Sequence, residues 1–302
     1  MPLLERNKCV RRKVILSAVL LLAVVGSEFS EGGELEAESE LIREAARVLS
    51  RSRYAVALTG AGVSTESGIP DFRGPSGVWT KNPEAERKAY EVYEKFLRDP
   101  KAYWEDVLRG PSLLGDIWKA QPNPSHYALA ELEQMGILKC VITQNIDNLH
   151  QKAGSRNVLD FHGNIFKLRC VSCGTRYERV NFNVAEVLSR GDVPRCSRCN
   201  YPLKSDVVYF GEPIPGDVYE KSLEEVRRCD VMIVAGTSAV VYPAAYLPRL
   251  AKFKPNPAVI IEVNAQPTPL TEEVTDYFIQ GLTGKILPKI VEEVKRLREG
   301  HA

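Results

Sequence analysis

Four short apolar runs constrain this chain more than any other feature, because each stops abruptly at small or polar residues. They are Tyr54–Thr59, Cys140–Thr143, Val231–Ala235 and Val259–Val263. Short, continuous apolar runs of this kind suit strands covered on both faces, as in a buried parallel sheet. Gly60-Ala61-Gly62 follows the first run, Gln144-Asn145-Ile146-Asp147 the second, Gly236-Thr237-Ser238 the third and Asn264 the fourth. Helical spacing is expected over 36–52, 125–136, 217–228, 243–253 and 286–298. Strands alternating with helices predict an α/β fold, a doubly wound, Rossmann-like parallel sheet. The carboxyl ends of such strands share one edge, where ligands of open α/β sheets bind. The small and polar residues collected there mark the expected site.

Two stretches break the alternation. Residues 76–121 are rich in aromatics and charges and are expected to form a helical insertion or lid. Residues 165–205 hold Cys170-x2-Cys173-x22-Cys196-x2-Cys199 and are expected to form a separate inserted zinc-ribbon module. Two knuckles that each present two thiolates supply the tetrahedral four-sulfur set that Zn²⁺ prefers. Four cysteines fill the shell and leave no place for water, so one structural zinc is expected; redox pairs or disulfides are the other reading. Cys9, Cys140 and Cys229 stand alone, and this odd total of seven fits a reducing compartment better than a secreted disulfide framework. Lys and Arg number 40 against 39 Asp and Glu, a net charge of +1 that provides no field for coating nucleic acid. Arg195 and Arg198 beside the second knuckle read as a solvated face.

The first run leads into the fifteen residues Gly60–Gly74, GAGVSTESGIPDFRG. A strand running into Gly-x-Gly suggests a phosphate cradle, since glycine lets the backbone approach a pyrophosphate closely. Thr65 stands where a dehydrogenase fingerprint has its third glycine, and no ribose-binding acid is evident further on, which disfavours hydride transfer. Taken whole, the string resembles the signature of the sirtuins, NAD-consuming protein deacylases. Thr143–Gly154 (TQNIDNLHQKAG) is similar to that family's second motif, and His162-Gly163 to its catalytic histidine. Val207–Glu212 (VVYFGE), Gly236–Ser238 and Val263-Asn264 resemble the later blocks in order, so the likeness spans about 41–298. Lys204-Ser205-Asp206 stands where many relatives have a proline, and Asp160-Phe161 replaces a commoner Glu-Leu. Neither departure removes a chemical group.

The resemblance implies NAD as co-substrate and acylated-lysine proteins or peptides as partners. In the family mechanism the acyl amide oxygen attacks C1′ of the nicotinamide ribose and nicotinamide leaves; the ribose 2′-hydroxyl then attacks the adduct. Deacylated lysine and 2′-O-acyl-ADP-ribose result. It implies that His162 is the general base, a task that its ordinary pKa near 6.5 suits. Asn145 and Asp147 join it in catalysis, though both residue types also simply favour turns. Cofactor contacts are expected from Gly60, Ala61, Gly62, Ser64, Asp71, Phe72, Arg73, Gln144, Asn145, Asp147, Gly236, Thr237, Ser238, Asn264 and Thr283. Phe72 would shield the ribose from water, and Arg73 would hold the reactive geometry. Val208, Phe210, Gly211, Glu212, Val240 and Val241 lie in the β-prone stretches 207–212 and 239–242, where an extended peptide would add as a strand; ordinary sheet core is the plainer reading. Family members that favour succinyl or malonyl groups use a Tyr-x-x-Arg. Tyr90 and Tyr93 are present without an arginine three residues on, so acetyl is expected first. A mono-ADP-ribosyltransferase and a non-catalytic binding module are the competing readings.

Residues 1–35 are expected to be an extension and 36–302 the catalytic domain. Basic residues from Arg6 to Lys13 precede an apolar run, Val14–Val25, which is the layout of a signal peptide. That run is too short for the roughly 20 residues a membrane span takes. A start placed too far upstream is the favoured reading, since the remainder needs intracellular NAD; a cytoplasmic protein without a membrane partner is expected. Gly32, Gly33 and the Glu-rich stretch beyond read as a linker.

Overall fold

A computed structural model describes residues 31–109 and 114–300. The basic and apolar segment 1–26 lies outside the described residues. Helix α1, Glu31–Arg51, begins upstream of the expected position 36 and includes Gly32 and Gly33, read above as linker. Strand β1, Ala55–Thr59, runs into two single 3-10 turns, Ala61–Val63 and Thr65–Ser67. The insertion follows as helices α2 (Val78–Lys81), α3 (Pro83–Ala89), α4 (Val92–Arg98) and α5 (Pro100–Arg109). Next come α6 (Pro124–Gln134), β2 (Leu138–Thr143), α7 (Leu149–Lys152) and β3 (Val158–Asp160). The cysteine module holds β4 (Lys167–Cys170), β5 (Arg176–Glu178), α8 (Val184–Ser189) and β6 (Leu203–Ser205). The chain then returns through α9 (Gly216–Arg228), β7 (Val231–Ala235), α10 (Leu247–Phe253) and β8 (Val259–Asn264). It finishes with α11 (Pro269–Glu273), β9 (Tyr277–Gln280) and α12 (Thr283–Glu299).

The large sheet is parallel throughout, in the order β3-β2-β1-β7-β8-β9. Successive side chains alternate between its faces. Ala57, Val141 and Ile261 meet Leu49, Leu129, Leu132 and Ile290 from α1, α6 and α12 in one core. Val56, Leu58 and Met232 meet Val226, Leu247 and Leu270 from α9, α10 and α11 in the other. Both faces are covered, which is why the central strands read as unbroken apolar runs. The edge strands β3 and β9 were not legible in this way. They are short, pair on one side only and are partly exposed.

The two interruptions do not stand apart. Phe96, Tyr103 and Trp104 of α4 and α5 are fully buried against Leu168, Val184, Val193 and Leu203 of the cysteine module. The Trp104 indole N–H donates to the Leu203 carbonyl at 2.8 Å. Insertion and module thus share one core and form a single smaller lobe, with β4 between β5 and β6 in an antiparallel sheet.

Strand order reverses between β1 and β7, and the turns that follow these two strands touch. Gly62 N donates to the Gly236 carbonyl at 2.8 Å, and Gly60 N to the Ala235 carbonyl at 3.1 Å. A Cβ on Gly60 would sit 2.7 Å from Thr237 Cβ, and one on Gly62 would sit 2.9 Å from Gly236 Cα. Gly236 has φ +58°, and a Cβ there would strike Val63 N. Left-handed backbone and missing space act together at Gly236. We predict that Gly236→Ala lowers stability by about 2–4 kcal/mol, read as the urea midpoint; an unchanged midpoint would refute the contact.

Candidate active site

A cavity of about 1570 Å³ opens at this reversal, between the strand ends and the small lobe. It exceeds the roughly 300–1,000 Å³ of a single small-molecule pocket. Gly60, Ala61, Gly62, Ser64, Asp71, Phe72, Arg73, Gln144, Asn145, Asp147, His162, Gly236, Thr237, Ser238 and Asn264 all line it. So do Val208, Phe210, Gly211, Glu212 and Val241. Two expected residues do not. Thr283 is buried at the start of α12, its Oγ1 2.8 Å from Ser125 Oγ, because α6–α12 packing draws it behind the cavity wall. Val240 is 44% exposed and lies outside the lining.

The floor is a buried polar network. Asn145 Nδ2 donates to the Gly60 carbonyl at 3.1 Å and to Ser64 Oγ at 3.0 Å. Ser64 Oγ donates to Asp147 Oδ2 at 2.6 Å, and Asp147 Oδ1 accepts from Leu149 N, the first amide of the short helix α7, at 2.9 Å. Burial raises the Asp147 carboxyl above its ordinary range despite these donors. Gln144 Nε2 donates to Thr237 Oγ1 at 3.0 Å, and Asn264 Nδ2 to the Thr237 carbonyl at 2.9 Å, tying three strand ends together.

Beneath this floor lie two histidines, His126 and His150, to which residue type and spacing give no role. His126 Nε2 is 3.5 Å from Ser64 Oγ, and its Nδ1 accepts from Asn123 N at 3.2 Å. Its ring is 4.9 Å from that of His150, whose Nε2 is 2.9 Å from Thr59 Oγ1. His126 lies on α6 among apolar side chains, where spacing gives no sign that it faces the floor of a site. Burial pushes His126 down to about 4 and His150 well below the usual imidazole value.

His162 follows β3 and stands in the cavity wall, its Nδ1 3.2 Å from the Gln144 carbonyl. A carbonyl only accepts, so Nδ1 carries the hydrogen and Nε2 keeps the lone pair. Burial pushes His162 down to about 4, below the 6.5 expected from the sequence. At neutral pH the ring is therefore uncharged and able to take a proton. Asp160, one of the departures noted above, accepts from Gln151, Asn164 and Lys167 and anchors the segment before this histidine.

Phe72, Trp79 and Phe210 also line the cavity, and Tyr90 lies outside the lining. Phe72 lies 4.6 Å from Trp79, and Phe210 lies 5.4 Å from Trp79 and 4.3 Å from Tyr90. Arg73 pairs with Glu86 at 2.8 Å and lies 4.4 Å over the Trp79 ring. Trp79 and Glu86 are additions that only the folded insertion reveals.

Residues 60–243 match the profile of the Sir2 family. The chain belongs to the Sir2 family. It is 49% identical over 258 residues to NAD-dependent protein deacylase 2 of Archaeoglobus fulgidus, covering 85% of this chain and 97% of that one. Among solved structures it resembles a Sir2 homolog–NAD complex, with a TM-score of 0.68, 41% identity, and coverage of 84% of this chain and 94% of that one. It also resembles a Sir2 protein bound to a myristoylated histone peptide, with a TM-score of 0.61, 43% identity, and coverage of 86% and 99%.

The cysteines of this Sir2 protein fit a metal. The four sulfurs lie within 4.8 Å of one another, with Cys170–Cys199 at 3.4 Å and Cys173–Cys196 at 3.6 Å. A tetrahedron with Zn–S of ~2.3 Å has edges of about 3.8 Å. Cys170, Cys173, Cys196 and Cys199 would hold Zn²⁺ with no open position, as a cross-link for the small lobe. Gly60, Gly62 and Gly236 likewise line the cavity as bare backbone, a surface that a dinucleotide phosphate would fit.

Two predictions follow from this geometry. Metal analysis should find one zinc per chain, and Cys196→Ser should lose it together with the near-UV signal of Trp104; full zinc retention would contradict the four-sulfur site. The buried histidines make stability pH-dependent. Their folded values lie below the ordinary 6.5, so between about 6.5 and 4 the unfolded chain binds protons that the fold refuses. Stability is unaffected by these groups above about pH 6.5 and is lost as pH falls toward 4. Unfolding at pH 6 should therefore take up more protons than unfolding at pH 8, measured by calorimetry in buffers of different ionisation enthalpy.

Proposed function

We propose that this Sir2-family protein is an NAD-dependent protein-lysine deacylase that uses His162 as general base. The observation that carries the reading is the His162 imidazole, its Nδ1 held by the Gln144 carbonyl, in the wall of the cavity at the glycine contact. When bound, NAD supplies the ribose carbon that gives up nicotinamide and receives the acyl oxygen. Its phosphates are placed against the cavity-lining backbone of Gly60, Gly62 and Gly236, and Gln144, Asn145, Asp147 and Asn264 offer polar contacts to its ribose and carboxamide. Phe72 and its neighbour Trp79 keep water from the reacting carbon. His162 Nε2 takes the proton of the ribose 2′-hydroxyl.

The acyl-lysine peptide is placed along 207–212 and 239–242. Neither stretch belongs to a strand of either sheet; 210–212 and 241–242 turn or bend, so pairing with a guest is placed at 207–209 and at Val240. No arginine stands three residues after Tyr90 or Tyr93, and Tyr90 is stacked on Phe210. Arg73, a nearby cation, is paired with Glu86. With no arginine at the Tyr-x-x-Arg position, acetyl is placed ahead of succinyl. Cytoplasmic residence is part of the same reading, drawn from the dependence on NAD and the odd cysteine count. Among the described residues no helix is long and apolar enough to cross a membrane.

An acyl-peptide panel assayed with NAD tests this. Acetyl-lysine peptide should yield free lysine, nicotinamide and acyl-ADP-ribose, with succinyl-lysine slower. His162→Ala should lower kcat at least about 10²–10⁴-fold while still binding NAD in titration calorimetry. Wild-type activity in that variant would defeat the assignment, and a mass gain of ADP-ribose on the peptide would favour transfer instead.

A further inference from the structure

The small lobe buries charges for which no step above has a use. Lys204 in β6 is 0% exposed, and its ammonium meets three acceptors: the Ser205 carbonyl at 2.7 Å, the Val207 carbonyl at 2.6 Å and Glu212 Oε2 at 3.1 Å. Three N–H donors and three acceptors leave this buried ion fully bonded. Arg169 in β4, also buried, donates Nε to Asp206 Oδ1 at 2.7 Å and Nη2 to Glu212 Oε1 at 2.5 Å. Glu212 Oε2 further accepts from Tyr209 N at 3.1 Å. The Glu212 carboxylate thus gathers both cations and an amide of its own segment.

All of these partners lie in β4, in β6 or in the strap 206–212 that follows β6. The strap belongs to no strand; besides these ties, Asp206 N bonds to the Lys167 carbonyl, the Tyr209 hydroxyl to that of Tyr103, and Phe210 stacks on Tyr90. It also touches the catalytic segment: Val208 N donates to the His162 carbonyl at 2.8 Å, and Gly163, at φ +79°, lies directly against the Asp206 carbonyl. Burying ions costs desolvation that an apolar core avoids, so the arrangement stabilises the fold poorly. What apolar side chains cannot do is fix two strap carbonyls and one strap carboxylate at set positions.

We propose that Lys204 and Arg169 are positioning residues for the acyl-lysine peptide, acting through Glu212 and the Ser205 and Val207 carbonyls to hold the strap in its peptide-receiving course. The inference rests on the peptide reading of 207–212 given above. It makes the cysteine-bearing lobe part of the machinery for substrate binding and not merely an appended fold.

The test compares wild type with Lys204→Met, in which Glu212 keeps Arg169 and the Tyr209 amide, and with Lys204→Met/Glu212→Gln, in which Arg169 keeps Asp206. Zinc content, thermal midpoint, NAD affinity by calorimetry, and kcat and KM for acetyl-lysine peptide are measured on each. In the double variant the peptide KM should rise about tenfold or more while zinc content and NAD affinity stay at wild-type values. An unchanged peptide KM would overturn the proposal, as would peptide and NAD binding weakening in parallel, which marks a general structural role. Should the Met variants not fold, Lys204→Arg keeps the charge but displaces the donors, and a wild-type peptide KM in it would be equally fatal. Failure of the wild-type protein to bind any acyl-lysine peptide would instead overturn the underlying functional reading.

Discussion

Two backbone turns in direct contact, with no side chain between them, set the geometry of everything above the sheet. Neighbouring parallel strands lie roughly 4.8 Å apart, and the turns after β1 and β7 stay at that spacing only because Gly60, Gly62 and Gly236 carry no Cβ. The first turn can then coil tightly through Ala61–Val63 and deliver Ser64 to within 2.6 Å of Asp147 from the neighbouring strand end. A bulkier residue at any of the three positions would push β1 and β7 apart or tilt the loop. The polar floor would lose its alignment before any residue in it had changed.

That floor has the character of a preorganised site. Its members bond to one another and to backbone, so they are already oriented when a ligand arrives. Its low-dielectric surroundings cut two ways. They strengthen the Asn145–Ser64–Asp147 bonds, and they keep His126, His150 and His162 uncharged near neutral pH. An uncharged imidazole with Nδ1 tied to a carbonyl suits a proton acceptor better than a fixed cation would. The small lobe closes the other side of the cavity, and its core is shared between two chain segments far apart in sequence.

Much of the fold was legible because burial on both faces leaves a plain mark. Val231–Ala235 coincides with β7, and β1, β2 and β8 depart from the expected runs by one or two residues at an end. Strands β3 and β9 carried no such mark, since an edge strand needs fewer apolar side chains. The cysteine spacing announced a four-sulfur set because metal coordination demands residue types at short intervals. It carried no sign that Trp104, from the insertion, would bury its ring beside those cysteines. Thr283 was expected at the cofactor; in the fold, helix packing brings its hydroxyl to Ser125, outside the cavity lining.

The sequence by itself determined the alternation of strands and helices, the polar residues at the strand ends, the metal-binding set and the likeness to sirtuins. Those are properties of residue types at short separations, where local sterics, burial and coordination chemistry operate. Tertiary structure alone decided that His126 lies beneath Ser64, that Arg73 is engaged by Glu86 and Trp79, and that Lys204 and Arg169 converge on Glu212. Each of these joins segments whose separation is bridged only by packing of the whole chain. A side chain's charge state and orientation depend on what that packing places beside it.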